Sequence, residues 1–341
     1  MEPIDLHSAA RTGSLAKVPR EALTPEGLRL RNAAGHTPLH LAARYGSLCD
    51  LPPETLTSDA FAQKNDAGYT PLHQAAIGGH LDQVPAALLT SETMLGRSNS
   101  GYTVYHLAAA NGCLEQIPAG LLSAEIAALK TDLGNTLLHE AAEAGTLDQV
   151  PAALLAAPVF RVKNISGETV FHVAALNGHL DQIPEAYMTG DALLETTNAG
   201  DTVFHAAAIS GHLAQIPPAF LTYGNLVIAS KTGFTAIHAA AETGQLSHLP
   251  TEVLTADLLL THNDNGDTPL HAAASEGHLD QVPVALLSAG MLNTRNYVGM
   301  SVGRLAIQQG HLDQIPLHFQ QRHGAIRRFL DKIGLSRAPF A

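Results

Sequence analysis

Tryptophan is absent from this 341-residue chain, and cysteine occurs only as Cys49 and Cys113. Two isolated cysteines outside any CxxC pair cannot build a disulfide framework or a thiolate zinc site, which fits a reducing compartment. No apolar stretch approaches the ~18 residues that a membrane-spanning helix needs. The opening Met-Glu-Pro-Ile-Asp also lacks the basic start and apolar core of a secretory signal. The expectation is a soluble, cytoplasmic protein that engages no membrane. Positive charge is nearly missing from the centre. Residues 45–294 hold six Lys/Arg against 25 Asp/Glu, whereas 1–44 hold six against four and 295–341 hold seven against two. So acidic a middle repels phosphate backbones, which excludes nucleic acid as its partner.

What the chain does have is a ruler. A histidine recurs every 33 residues, at His7, His40, His73, His106, His139, His172, His205, His238 and His271, and Arg304 takes the next slot. A glycine lies five residues before most of these positions (Gly35, Gly68 and on to Gly299), and another lies six after (Gly13, Gly46 and on to Gly310). A proline follows twelve after, from Pro19 to Pro316. Three phased lattices over one chain mark a repeat architecture rather than two or three globular domains.

One period reads directly as local structure. In Asn65-Asp66-Ala67-Gly68 the turn chemistry is explicit, with glycine free to take positive φ. Thr70 caps a helix and Pro71 suits its first position. Leu72, Ala75 and Ala76 form an apolar stripe whose alanines let neighbouring helices approach closely, and Gly79 ends the helix. Leu81, Val84 and Leu88 share one face of an expected second helix, which must start near Asp82 because Pro85 is tolerated only in a first turn. Thr90-Ser91-Glu92 then predicts a short extra helical turn. No unit of this size buries its apolar face alone, so the units must stack.

Gly35-His36-Thr37-Pro38-Leu39-His40-Leu41-Ala42-Ala43 and Gly266-Asp267-Thr268-Pro269-Leu270-His271-Ala272-Ala273-Ala274 resemble the signature of the ankyrin repeat family, and the period is similar too. The resemblance spans residues 3–320. It implies an all-α, ankyrin-like α-solenoid of ten repeats: stacked antiparallel helix pairs with projecting turn loops, elongated and curved. On this reading 1–32 is an N-terminal capping repeat, 33–296 are eight internal repeats, and 297–341 is a C-terminal capping repeat with a terminal amphipathic helix over 318–330. One departure stands out. The second helix reads His-Leu-Asp-Gln-Val/Ile-Pro where most ankyrin repeats carry a leucine-rich run, a variant similar to bacterial ankyrin proteins. The geometry of that proline-containing outer helix is therefore an open expectation.

The search for chemistry returns lattice residues. Nine equivalent histidines do not make one catalytic site, and their expected role is to hydrogen-bond the neighbouring turn. Pairs such as His73/His80 straddle a helix-ending glycine and need not share a face, so no metal site is expected. His139-Glu140-Ala141-Ala142-Glu143 lacks the second histidine of a helical zinc-protease motif. The glutamines from Gln83 to Gln314 are expected to brace one outer helix against the next. No phosphate loop is present, and no GxSxG or Cys/His pair appears in plausible register, so no cofactor and no catalytic residue is assigned.

The informative residues vary while the lattice stays fixed. The resemblance places the concave surface in the two residues before the turn glycine, the one after it, and the two before the helix-ending glycine. Those slots hold His36, Arg44, Tyr45, Tyr69, Ile77 and Tyr102, then Asp132, Glu143, Glu168, Asp201, Asp264, Asp267 and Glu276, with Phe234 the exception among the acids. Tyrosine and arginine are common interface anchors, and a row of like charges suits a basic partner. The expected function is a monomeric, non-enzymatic scaffold that binds a protein partner with a basic face. A second reading is an inhibitor or regulatory subunit of a specific enzyme, including a bacterial effector translocated into a host. An enzyme built on the solenoid is the third and weakest.

Overall fold

In the computed structural model, residues 5–155 and 157–320 are described. They are helical, with no named strand among them and two isolated antiparallel bridges, Ala229 with Thr235 and Arg295 with Ser301. The chain divides into two compact units, residues 1–174 with 182–187 and residues 175–181 with 188–341. Beyond its start at Leu317–Gln320, the terminal helix expected over 318–330 lies outside the described residues.

In the first unit the inner helices Leu6–Arg11, Pro38–Tyr45, Pro71–Gly78, Val104–Ala110 and Leu137–Ala144 pack one against the next. In the second, Val203–Ile209, Ala236–Glu242, Pro269–Glu276 and Val302–Gln309 do the same. Each starts where the sequence placed a threonine or serine cap, apart from the first, which is capped by Asp5. The paired alanines sit at the contact: Ala42, Ala75, Ala108, Ala141, Ala207, Ala240 and Ala273 are fully buried. Methyl-sized side chains let backbones approach, which is why the period carries them there. Gly79, at φ 73°, closes its helix in the left-handed region. Gly68 is required twice over: its φ is 81°, and a Cβ there would lie 2.7 Å from the Asn99 backbone nitrogen of the next turn.

The outer helix differs from the expectation. Instead of one helix from Asp82, the chain makes two three-residue 3-10 turns, Leu81–Gln83 and Ala86–Leu88, separated by extended Val84 and Pro85. The cause is local. A residue before proline is barred from the α region by the proline ring, and Val84 accordingly takes ψ 132°. The same extended residue recurs at Leu51, Ile117, Val150, Ile216 and Val282. Leu81, Val84 and Leu88 are nonetheless all buried, so the apolar pattern is honoured by turns rather than by a helix face. The short extra helix follows as expected, for example Ser91–Met94 behind the Thr90 cap. The glutamines brace turns: Gln116 Nε2 donates to the Gly79 carbonyl, and its Oε1 accepts from the Asp82 amide.

Candidate functional site

The ruler histidines are consumed by the scaffold. His40 Nδ1 accepts from the Thr37 backbone N–H at 3.2 Å and lies 2.8 Å from Thr37 Oγ1. Its Nε2 sits 3.0 Å from the Tyr69 carbonyl of the following turn. The ring thus carries its proton on Nε2 and staples one period to the next. His73, His139, His205, His238 and His271 repeat the contact with the carbonyls of Tyr102, Glu168, Phe234, Asp267 and Met300. Burial pushes His40, His73, His106 and His139 down to about 4 from the ordinary 6.5, so they are neutral at physiological pH. A protonated Nδ1 would oppose the threonine N–H it now accepts from.

With the histidines fixed, the exposed inner face belongs to the varying slots. In the first unit Arg44 and Tyr45 are exposed, and His36, Tyr69, Ile77 and Tyr102 are partly buried. The turn aromatics lie over ruler histidines: Tyr69 over His73 at 5.6 Å, Tyr102 over His106 at 6.1 Å, and in the second unit Phe234 over His238 at 5.4 Å. These rings therefore serve packing as well as any surface role. Asp132 is exposed but paired, 3.0 Å from Arg97, in a loop-to-loop bridge that repeats Arg31–Asp66 two periods on. Glu168 is half-buried and accepts from Asn164 at 2.8 Å. Asp267 accepts from Asn296 at 2.7 Å. Glu143, Asp264 and Glu276 are exposed, and Asp201 is half-buried.

Two residues outside the predicted set complete the first unit's inner face. Gln74 and Glu140 follow ruler histidines, in a slot that Leu107 and Val173 fill with apolar side chains. Gln74 accepts from Arg44 Nη1 at 3.3 Å. Glu140 is 6% exposed, accepts from Asn135 at 3.0 Å, and is hydrogen-bonded to Tyr102. Burial, with the Glu143 charge adding to it, pushes its carboxyl up to about 7. Asn135 in turn accepts from Asn164, so Tyr102, Glu140, Asn135, Asn164 and Glu168 form one polar chain. The signal was legible as a break in the lattice, a carboxylate where its neighbours are apolar.

Each unit has a cavity lined by its inner-helix and turn residues. The first, about 380 Å³, is lined by Asp5, His7, Ser8, Arg11, Asn32, His36, Leu41, Arg44 and Tyr45. The second, about 220 Å³, is lined by Phe234, His238, Glu242, Asn263, Asp267, His271, Ala272, Ser275, Glu276 and Leu305. Thus His36, Arg44 and Tyr45 are brought together, and so are Phe234, Asp267 and Glu276; neither group needs the other. Among the described residues no group of three or more His, Cys, Asp or Glu is placed to hold a metal ion, and no helix is long and apolar enough to cross a membrane.

The ankyrin repeat family model matches residues 265–297, one full period that includes the Thr268 cap, the His271 staple and half the second cavity's lining. No curated protein matches the chain. Residues 265–297 are thus an ankyrin repeat by that match, and the same capped, histidine-stapled inner helix recurs along both units as an all-helical, ankyrin-like repeat architecture.

Proposed function

We propose that the chain is a non-enzymatic binding protein whose inner face engages a partner protein. The observation that carries this reading is the division of labour within each period. Threonine, histidine, alanine and glycine are spent on capping, stapling and close packing, while exposed Arg44, Tyr45, Glu143, Asp264 and Glu276 sit in slots the scaffold leaves free to vary. Half-buried tyrosines offer large contact area at low entropic cost. The acids in each unit favour a partner with a basic stretch, whose association slows as salt rises.

The test is affinity capture from the source lysate, comparing wild type with the Tyr69→Ala/Tyr102→Ala variant. Each truncation is expected to weaken binding by ~2 kcal/mol if these rings are anchors. Because both rings also pack on histidines, melting curves of the variant must accompany the capture. Equal capture by a well-folded variant, or a partner seated away from the inner face, refutes the reading.

A further inference from the structure

The first cavity has an unbalanced lining. Arg11 and Arg44 occupy the same slot in successive periods, each two residues before the glycine that follows its helix, and both face the cavity with His7, His36 and Tyr45. Among the described residues neither arginine has a carboxylate within ion-pair distance; Arg44 has only the neutral Gln74 oxygen. The one acid in the lining, Asp5, is committed to its own helix, where Oδ1 accepts from the His7 and Ser8 amides at 3.0 and 3.1 Å. His7 Nε2 is likewise engaged by the carbonyls of Leu30 and His36. What remains for a ligand is two guanidiniums and the exposed Tyr45 edge, beside a His36 ring that Asn65 Nδ2 already approaches at 3.3 Å, around a space of about 380 Å³.

We propose that this cavity is a receptor for a carboxylate presented by a peptide segment of the partner. The proposal deepens the protein-binding reading and rests on it. Guanidinium matches a carboxylate in charge and in its paired, planar donors. The volume suits one or two side chains, with Leu41 and Tyr45 providing apolar wall for the segment that carries the acid. A nucleic acid is disfavoured because the chain carries a net charge of −12 and Glu140 and Glu143 stand further along the same unit's inner face. Burial and the Arg44 charge both hold the His36 imidazole below its ordinary range, opposed by Asp66 and assisted by His7. An anion seated beside Arg44 would offset that charge, so His36 should take up a proton more readily when the cavity is filled.

The experiment titrates the intact chain with short probes and reads arginine Nε–Hε and histidine ring resonances by NMR. The probes are alanine hexapeptides, N-acetylated and C-amidated, that carry one Glu, Gln or Lys. An all-alanine hexapeptide with a free C-terminal carboxylate and a single-stranded oligothymidylate complete the set. The Glu or the free-acid peptide is expected to move the Arg11, Arg44 and His36 signals and to raise the His36 titration midpoint. Which of the two binds better tells a side-chain source from a chain terminus. The Gln peptide, lacking the charge, is expected to bind roughly tenfold more weakly. Arg44→Gln should lower affinity for the carboxylate probe to a similar degree while leaving all other signals in place, and Arg11→Gln should do the same. Equal response to Gln or Lys peptides, tighter binding of the oligonucleotide, or indifference of the carboxylate probes to both arginine variants overturns the assignment. Because no native partner is present, that failure is separate from a failure of the tyrosine capture experiment.

Discussion

The two cavities are the same place in the repeat, built seven periods apart. Arg11 corresponds to Glu242, Asn32 to Asn263, His36 to Asp267, Leu41 to Ala272, Arg44 to Ser275 and Tyr45 to Glu276. The asparagine that shapes the turn is kept, and so is the helix that forms the floor. The ring beneath is kept too: His238 donates to the Asp267 carbonyl at 3.0 Å as His7 does to that of His36. What changes is charge, from two guanidiniums in the first unit to three carboxylates in the second. The lesson is that the scaffold and the surface are written in different slots, so one can be altered without the other. Each prediction below attacks either the shared part or the part that differs.

The largest expected effect strikes the shared part. The stapling histidines are held below their ordinary range in the folded chain but titrate near 6.5 once unfolded. The unfolded chain then binds more protons below that value, so stability present above pH 6.5 is lost as pH falls toward 4. A shift of this size corresponds to ~3 kcal/mol per histidine as an upper bound. The first unit holds the four that burial drives to about 4, whereas His205, His238 and His271 are lowered less far. Acidification should therefore loosen the first unit before the second. Hydrogen exchange followed from neutral pH to pH 5 checks this, and equal protection loss in the two units would break the distinction.

Removing one staple is the next largest change. His139→Ala leaves the buried Thr136 N–H without its ring partner and takes one of two donors from the Glu168 carbonyl, which keeps the Asn164 N–H, at a cost of ~1–3 kcal/mol. His238→Ala should cost less, because its ring meets the Thr235 hydroxyl at 2.7 Å and the Asp267 carbonyl at 3.0 Å without the backbone N–H of a capping box. Thermal melts of both variants test whether the shared part is energetically shared, and EDTA should leave the melting temperature of the wild type unchanged. A fall of several degrees on chelation would point to a metal role instead.

Glu140 offers a smaller effect of the opposite sign. Its folded carboxyl titrates near 7 against 4.5 in the open chain, so the folded state holds the extra proton and loses stability as pH rises through that window. Glu140→Gln, which copies the buried Gln74 of the same slot two periods earlier, should stabilise the first unit by ~1 kcal/mol above neutral pH and change little near pH 5. Urea unfolding at the two pH values reads the difference directly.

How much of this was legible before any coordinates depended on the range of the cause. Thr37, Pro38, His40 and Gly46 act within a few residues, and their spacing gave the inner helix, its caps and the histidine staple. The outer segment was misread because weight went to the apolar spacing of Leu81, Val84 and Leu88 rather than to the restriction Pro85 imposes on Val84. The bracing role of glutamine was anticipated, but not its relocation. Where the sequence runs Gln245-Leu246-Ser247-His248, Gln245 moves three residues earlier and still accepts from the Leu213 amide at 2.8 Å, a substitution only three-dimensional neighbours explain. On the surface, Arg44, Tyr45, Phe234 and Glu276 line the two cavities, whereas Asp132 is tied to Arg97. Arg11 was missed because its importance comes from Arg44 standing one period away.

The smallest effect on stability should be the most informative about the surface. If slot identity alone sets the cavity's preference, then Glu242→Arg with Asp267→His, Ser275→Arg and Glu276→Tyr should give the second cavity the first one's lining. All four positions are exposed or half-exposed, and the one staple among them runs through the Asp267 backbone carbonyl, which substitution keeps, so changes at Glu242, Ser275 and Glu276 should alter the fold by less than ~0.5 kcal/mol. Asp267 is the exception, since it accepts from Asn296, and a variant that keeps Asp267 controls for that lost bond. The carboxylate hexapeptide should then perturb two sites instead of one, with new shifts at the introduced arginines and at the introduced histidine. Should the remodelled cavity fold as before and still ignore the peptide, charge would not be what distinguishes the two cavities. Their difference in volume, about 380 against 220 Å³, would have to take its place. Ala272 against Leu41 would then be the next position to exchange, because it sits in the wall of each cavity and carries no charge.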